Sequence, residues 1–358
     1  MSIQSQRKDD HVRHADSQYQ TNPTDFAALD FVHQSIPRLN VADIDISTRL
    51  LGHELASPFY INAMTGGSEW TKQINRMFAE LAHETGLAMA AGSLSIAIKD
   101  PSTADSFKVI RQANPDGFVL ANLGANHNLE NAKRAVDILE ANALQIHLNT
   151  PQEVVMPEGD RDFRPYYDHI QEIVAGLDVP VLVKEVGFGM ARETMETLAD
   201  LGVQAIDVSG RGGTNFALIE NARRSETFDM SYLANWGQST LVSLLEAQDL
   251  MATGQVDIVS SGGIKNPLDM VKALALGAKA TAMSGFFLHQ VLNQPLADCI
   301  QTVRDYQDQL RLIMALVNAP DIASLSQTDL VVTGYPAQWA QARGIDINRL
   351  ANRSQAGR

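Results

Sequence analysis

The sequence predicts an α/β protein built as a TIM-type (β/α)8 barrel with an N-terminal arm and a C-terminal helical extension. Three observations carry the prediction. From Pro58 onward, short β-type runs alternate with runs of helical period, and the β-type runs number eight. Most successive strand ends are separated by the length of one strand–loop–helix–loop unit. Small and hydrogen-bonding residues gather at the C-terminal ends of these strands, where such barrels keep their working groups. Composition agrees: 45% of residues are hydrophobic but only 6% aromatic, so the core is mainly Ala, Val, Ile and Leu, as suits parallel strands covered by helices. An open doubly wound sheet is the structural alternative. It often carries a G-x-G-x-x-G turn after its first strand, and the chain has none there.

Taken in order, residues 1–57 are the N-terminal arm and lead-in elements, and residues 58–358 are the barrel with its C-terminal helices, a single domain. Thr24 to Leu29 reads as a capped short helix, and Val41 to Ile46 alternates like an edge strand or hairpin arm. The barrel strands are predicted at 58–63, 88–93, 118–123, 143–149, 180–186, 205–210, 257–262 and 281–285. Between them, Trp70, Ile74, Met77, Phe78 and Leu81 share one helix face, as do Met270, Val271 and Leu274. The longest interval separates Ser209 from Gly262. It holds Gly210 to Asn215 and Trp236–Gly237, and a long glycine-bearing insertion after a strand end is usually a functional loop or lid. From Leu292 onward the chain supplies the last barrel helix and one or two more. Cys299, the only cysteine, falls in the amphipathic run from Pro295 to Ile313 and reads as a buried helix residue, not a nucleophile.

A formal net charge of −14 argues against general nucleic-acid affinity, and leaves an anionic small substrate possible only where basic groups are gathered locally. A single cysteine forms no intrachain disulfide and fits a reducing compartment. No apolar run reaches membrane-spanning length, and the polar N-terminus has no signal-peptide core, so a cytoplasmic protein without membrane partners is expected.

The densest polar cluster runs from His147 through Asn149 and Gln152 to Glu153, at the end of the fourth strand. A carboxylate there suits a hard cation such as Mg²⁺, and an imidazole or amide suits orienting or relaying a proton. Gly262–Gly263 and Ser284–Gly285 close the seventh and eighth strands, the usual barrel position for a phosphate held by backbone N–H groups. Lys184 stands in the apolar strand 181–186, where a buried ammonium needs an anionic partner, either a charged cofactor or a structural ion pair with Glu185 or a neighbour. Arg7, Lys8 and His11 form a basic cluster in an acidic chain, suited to an arm that clamps phosphate groups.

These motifs together resemble the type 2 isopentenyl-diphosphate isomerases, which use FMN. The resemblance spans nearly the whole chain and rests on Arg7–Lys8 with His11, Met64–Thr65–Gly66–Gly67, His147 to Glu153, Ser209 to Thr214, and Ser261 to Lys265. It implies that Arg7 and Lys8 bind the substrate diphosphate, with His11, Ser93, His147, Asn149, Gln152 and Trp236 completing the substrate pocket. It assigns Met64, Thr65, Ser93, Asn122, Lys184, Ser209 and Thr214 to the flavin. Gly262, Gly263, Ile264, Ser284 and Gly285 fall to its phosphate, and Glu153 to Mg²⁺. Gln152, His147 and Lys184 are the implied catalytic residues. The resemblance further implies reduced FMN as the active cofactor, NADPH or another reductant to charge it, and a tetramer or octamer. Many relatives carry a basic residue where this chain has Ser95, which puts one phosphate or substrate contact in doubt. The alternatives are an FMN-dependent oxidase of 2-hydroxy acids, which wants a His base and Arg residues near the seventh strand, and a flavin-binding barrel without chemistry.

Overall fold

The computed structural model describes residues 3–224 and 228–355, with side chains from residue 8 onward. Eight parallel strands close into a barrel in chain order. They are β1 (Phe59–Ile61), β2 (Met89–Ala90), β3 (Val119–Gly124), β4 (Ala143–Leu148), β5 (Val181–Glu185), β6 (Ala205–Asp207), β7 (Asp257–Ser261) and β8 (Ala280–Met283). β8 pairs back onto β1, so the barrel has no open edge. All eight fall where the alternation of apolar runs and turn residues predicts them.

Side-chain alternation along the strands sorts the barrel interior into two layers. The lower layer is apolar, with Ala88, Leu120, Ala143, Leu182, Ala205, Val259 and Ala280 packed around Tyr60. Two residues further along six of the strands the inner face turns polar, with Asn62, Asn122, Gln145, Lys184, Asp207 and Ser261, while β2 and β8 carry Ala90 and Ala282 there. Burying polar groups is tolerable only when they bond to one another. Asn62 Nδ2 donates to Asp207 Oδ2 at 2.9 Å, and Gln145 Nε2 donates to Asn62 Oδ1 at 3.3 Å. Register places His147 beside Lys184, and Lys184 beside Asp207, on neighbouring strands.

The outer helices start and stop on local signals. Ser68 and Thr71 form a capping box for helix Glu69–Thr85, which ends at Gly86 in the left-handed conformation, φ 71°. Asn266 caps helix Pro267–Ala275, with proline in its first turn. Cys299 is buried in helix Leu296–Leu316.

The basic arm is a helix, Ile3–Ser17. Two contacts fix its path: Ser68 Oγ donates to Asp9 Oδ1 at 2.6 Å, and His289 Nδ1 meets Asp16 Oδ1 at 2.7 Å. Two lead-in expectations need correction. Val41 to Ile46 is not a strand; Val41–Asp43 is a 3-10 turn, because the Asn40 side chain accepts the Ala42 N–H and bends the chain there. The nearby hairpin is instead Thr48–Leu50 with His53–Leu55. Thr24 precedes a single 3-10 turn, Asp25–Ala28, and does not cap it; its hydroxyl donates to the Gly263 carbonyl at 3.1 Å. The C-terminal extension also carries a strand the sequence reading did not expect, Leu330–Val332, which pairs antiparallel with Leu29–Phe31.

Candidate active site

At the C-terminal mouth of the barrel lie two adjoining chambers of about 220 and 470 Å³. They share Ala63, Met64, Lys184, Val186 and Phe216 as lining, so they are two ends of one cleft with Lys184 where they meet.

The larger chamber is walled by turns that follow β6, β7 and β8. Ser209, Thr214, Gly262, Gly263, Ile264, Ser284 and Gly285 all line it. Glycine is required here. Gly262 has φ +84°, and a Cβ on it would lie 2.1 Å from the Gly210 carbonyl oxygen. Gly212 and Gly263 approach so closely that a Cβ on either would meet the other's Cα within 3.2 Å. The Ser284 side chain makes no capping bond to helix Gly285–Asn293, so no side chain fills the helix N-terminus that opens into this chamber. Backbone N–H groups beside a pre-shaped hollow suit a phosphate. Arg211 and Lys265 line the same chamber. The residues present therefore fit a phosphate-bearing cofactor.

The smaller chamber is walled by side chains. Asn122 from β3, His147 from β4, and Asn149, Gln152 and Glu153 at the start of helix Thr150–Val155 face it, with Ser93 opposite. Lys8 and His11 reach it from the N-terminal helix. Its charged lining balances three ammonium groups, Lys8, Lys99 and Lys184, against three carboxylates, Glu153, Glu158 and Asp160. That mixture suits an anion accompanied by a divalent cation better than either alone.

His147 donates from Nδ1 to Asn122 Oδ1 at 2.9 Å, leaving Nε2 an acceptor. Burial, then the Lys184, Lys8 and His127 charges, push its pKa down to about 3, so it is a neutral imidazole at neutral pH. Gln152 is held at both ends of its amide. Its Nε2 donates to Glu220 Oε1 at 2.9 Å, and its Oε1 accepts from Asn149 Nδ2 at 3.3 Å. Glu153 accepts from Asn149 Nδ2 at Oε1 and from the Asp160 N–H at Oε2, both at 2.8 Å. Among the described residues no group of three or more His, Cys, Asp or Glu is arranged for a metal ion. Any cation here would therefore take most of its ligands from water and a bound anion. Lys184 Nζ donates to the Glu185 backbone carbonyl at 2.6 Å, while the Glu185 carboxylate accepts the Val186 and Phe188 N–H groups. The two side chains do not form the direct ion pair weighed as an alternative.

Three sequence-predicted residues stand apart. Thr65 is buried but lines neither chamber. Trp236 is 60% exposed and also lines neither. The Arg7 side chain lies outside the described residues.

Sequence reasoning missed Glu220, fully buried in helix Phe216–Asn221 of the long insertion. Burial alone would raise its pKa, but the His11 and Gln152 hydrogen bonds and the charges of His11 and Arg223 outweigh it and hold it at about 2. Glu220 is thus a fixed negative charge joining the N-terminal helix to Gln152. The available signal was an acid placed three residues before Arg223 inside an insertion already marked as functional. His127 was also missed. Its Nε2 meets Ser95 Oγ at 2.8 Å, and Ser95 Oγ meets Ser93 Oγ at 2.8 Å. Burial, then Lys99, lowers its pKa to about 4. Lys99 was missed too; it brings an ammonium group to the chamber wall that Ser95 shares.

A profile of the FMN-dependent dehydrogenase family matches residues 148–332. Curated relatives include an isopentenyl-diphosphate delta-isomerase from Staphylococcus haemolyticus, 49% identical over 96% of this chain and 98% of its own length. Another, from Staphylococcus epidermidis, is 47% identical over 97% of this chain and 99% of its own. Among solved structures, a flavocytochrome b2 mutant with benzoylformate superposes with a TM-score of 0.64 at 17% identity, covering 89% of this chain and 78% of that one. A mandelate oxidase mutant with an FMN monooxide adduct gives 0.62 at 15% identity, covering 90% and 92%. At such identities these two speak for the fold alone.

Proposed function

The chain belongs to the isopentenyl-diphosphate delta-isomerases, within the FMN-dependent fold family, and from that premise we propose how its residues divide the work. The reaction shifts a double bond within a five-carbon diphosphate, interconverting isopentenyl and dimethylallyl diphosphate. One proton is added to a carbon and another leaves a neighbouring carbon, with no net redox change.

When bound and reduced, by NADPH or another reductant, FMN supplies an electron-rich ring and a nitrogen that exchanges a proton with substrate carbon. The larger chamber holds its phosphate through the Gly262–Gly263 turn and the N-terminus of helix Gly285–Asn293. Met64 and Lys184, which line both chambers at the junction, would hold the ring, and Lys184 would stabilise negative charge on it. Asn122, Ser93, Ser209 and Thr214 complete the flavin contacts.

The substrate occupies the smaller chamber. Lys8, with Arg7 by the resemblance alone, would neutralise its diphosphate, and His11, His147 and Asn149 line its path. Glu153, oriented by Asn149 and the Asp160 N–H, would hold Mg²⁺ together with diphosphate oxygens and water. Gln152 places its amide against the reacting carbons. A neutral amide is a poor acid, so its first task is orientation, fixed by Glu220 and Asn149. Trp236, which the resemblance assigns to the substrate pocket, stands exposed on the insertion outside both chambers. Among the described residues no helix is long and apolar enough to cross a membrane. The reading includes a cytoplasmic location and a homo-oligomer, to which exposed Ile36 and Tyr232 offer apolar surface.

The observation that carries this reading is the junction at Lys184 of a glycine-built phosphate cradle with a chamber holding both ammonium groups and Glu153. The test is anaerobic incubation with reduced FMN, Mg²⁺ and isopentenyl diphosphate in D₂O. Deuterated dimethylallyl diphosphate is expected, and its absence refutes the reading. Oxygen consumption on a 2-hydroxy acid would instead favour the oxidase alternative. The Ser261–Ile264 turn, which carries neither His nor Arg, speaks against that outcome.

A further inference from the structure

Asp207 is fully buried on the inner face of β6, beneath the junction of the two chambers. A carboxylate in that position is costly unless its oxygens are well bonded. Its Oδ2 accepts from Asn62 Nδ2 at 2.9 Å and from Ser261 Oγ at 2.8 Å, and its Oδ1 accepts the Ser209 N–H at 3.1 Å.

Each partner opens a different wall of the cleft. Asn62 Oδ1 accepts the Ala63 N–H at 2.8 Å, which sets the turn into Met64. Ser261 leads directly into Gly262–Gly263. Ser209 sits at φ +34°, a left-handed conformation that a non-glycine residue keeps only when its surroundings impose it. Its carbonyl in turn accepts the Gly187 and Gly189 N–H groups. A fourth neighbour is Lys184, in register on β5 and buried on the same inner face. The other ionisable groups around Lys184 are neutral His147 on β4, Glu185 next to it in the strand, and Lys8 from the N-terminal helix. Asp207 is the carboxylate beside it on the adjoining strand.

We propose that Asp207 is a positioning residue for the cofactor: it ties the turns after β1, β6 and β7 into one cradle and supplies the counter-charge that keeps Lys184 an ammonium. The proposal rests on the flavin reading of the cleft. Desolvation pulls the Lys184 pKa down, and Asp207 and Glu185 pull it back up.

The experiment titrates FMN into apoprotein between pH 6 and 9, reading flavin fluorescence, and records the thermal midpoint of each apoprotein. Asp207→Asn keeps the shape but replaces an accepting oxygen and removes the charge. Asp329→Asn is the control; Asp329 is a buried carboxylate bonded to Ser354, away from the cleft. Asp207→Asn is expected to weaken FMN binding about tenfold at pH 7. Its thermal midpoint should match that of Asp329→Asn, which binds FMN as the wild type does. Ser261→Ala, the milder variant, is expected to weaken binding about threefold.

The proposal is overturned if Asp207→Asn binds FMN like the wild type across the pH range. It is also overturned if Asp207→Asn and Asp329→Asn lose affinity and thermal midpoint together. Should Asp207→Asn not fold, wild-type affinity in Ser261→Ala overturns it. A wild-type apoprotein that takes up no FMN refutes the flavin reading itself, and this proposal with it.

Discussion

The two chambers of the cleft are made of different material. The larger is shaped by main chain: Gly210, Gly212, Gly262 and Gly263 touch backbone to backbone, and a helix N-terminus closes the far end. The smaller is shaped by side chains: His147, Gln152 and Glu153 are each held by another side chain or by a loop N–H. A backbone cradle is rigid and recognises one constant group, because its donors cannot be exchanged one at a time. A side-chain chamber allows single groups to be tuned and lets charge be balanced locally. The difference teaches that substitutions should fail at one end through shape and at the other through chemistry.

The sharpest way to break that contrast is Gly262→Ala. The added methyl would collide with the Gly210 carbonyl at a φ of +84°, so FMN affinity should fall on the order of 100-fold or more in a titration of apoprotein. Tight binding by that variant would mean the cradle is far softer than its geometry says. Next in size is Gln152→Ala, which empties the amide held between Glu220 and Asn149. Turnover should drop roughly 100-fold while FMN content stays at the wild-type level, as single-turnover assays and the flavin spectrum would reveal. Glu153→Gln should lower Mg²⁺-dependent turnover by about tenfold or more and raise the Mg²⁺ concentration needed for half-maximal rate. Loss of flavin in that variant would show that the two ends are not separable. Ser95→Ala, which cuts the hydrogen bond to His127, should raise KM only about threefold with kcat unchanged.

Acid distinguishes the two ends through stability instead of turnover. His127 and His147, both in the smaller chamber, titrate near 4 and 3, depressed first by burial. The unfolded chain takes up these protons near pH 6.5, before the native state does. Stability is therefore lost as pH falls from about 6.5 toward 4, by up to about 1.4 kcal/mol per pH unit for each imidazole. Urea midpoints at pH 7, 6 and 5 measure this slope, and His127→Asn should flatten it.

The barrel was legible because period-2 runs, turn residues and helix caps agree along the chain, and each strand is specified locally. Which strand residues face inward followed only from closure. Ser209 was read from β6, while Asp207, two residues earlier on the same strand, was overlooked. Val41 to Ile46 misled because its alternation is real, but the Asn40 side chain competes for the backbone. In the site, the strand-end residues were found because strand ends have a position in the pattern. Glu220, Lys99 and His127 lie beyond the strand ends, and only folding brings them to the chamber. The helix Ile3–Ser17 is similar in kind. Its basic residues marked it as an arm, but its docking depends on Ser68 and His289, far along the chain.

The short pairing of Leu29–Phe31 with Leu330–Val332 has a consequence for how the molecule is made. It joins two stretches separated by nearly the whole chain, so closing it carries a large entropic cost until the barrel between them exists. On the ribosome, the early strand emerges long before its partner. Until synthesis is almost complete, that early segment must wait with Leu29 and Phe26, both buried in the finished fold, exposed to solvent. A truncation upstream of Leu330 removes the partner strand and should aggregate rather than fold.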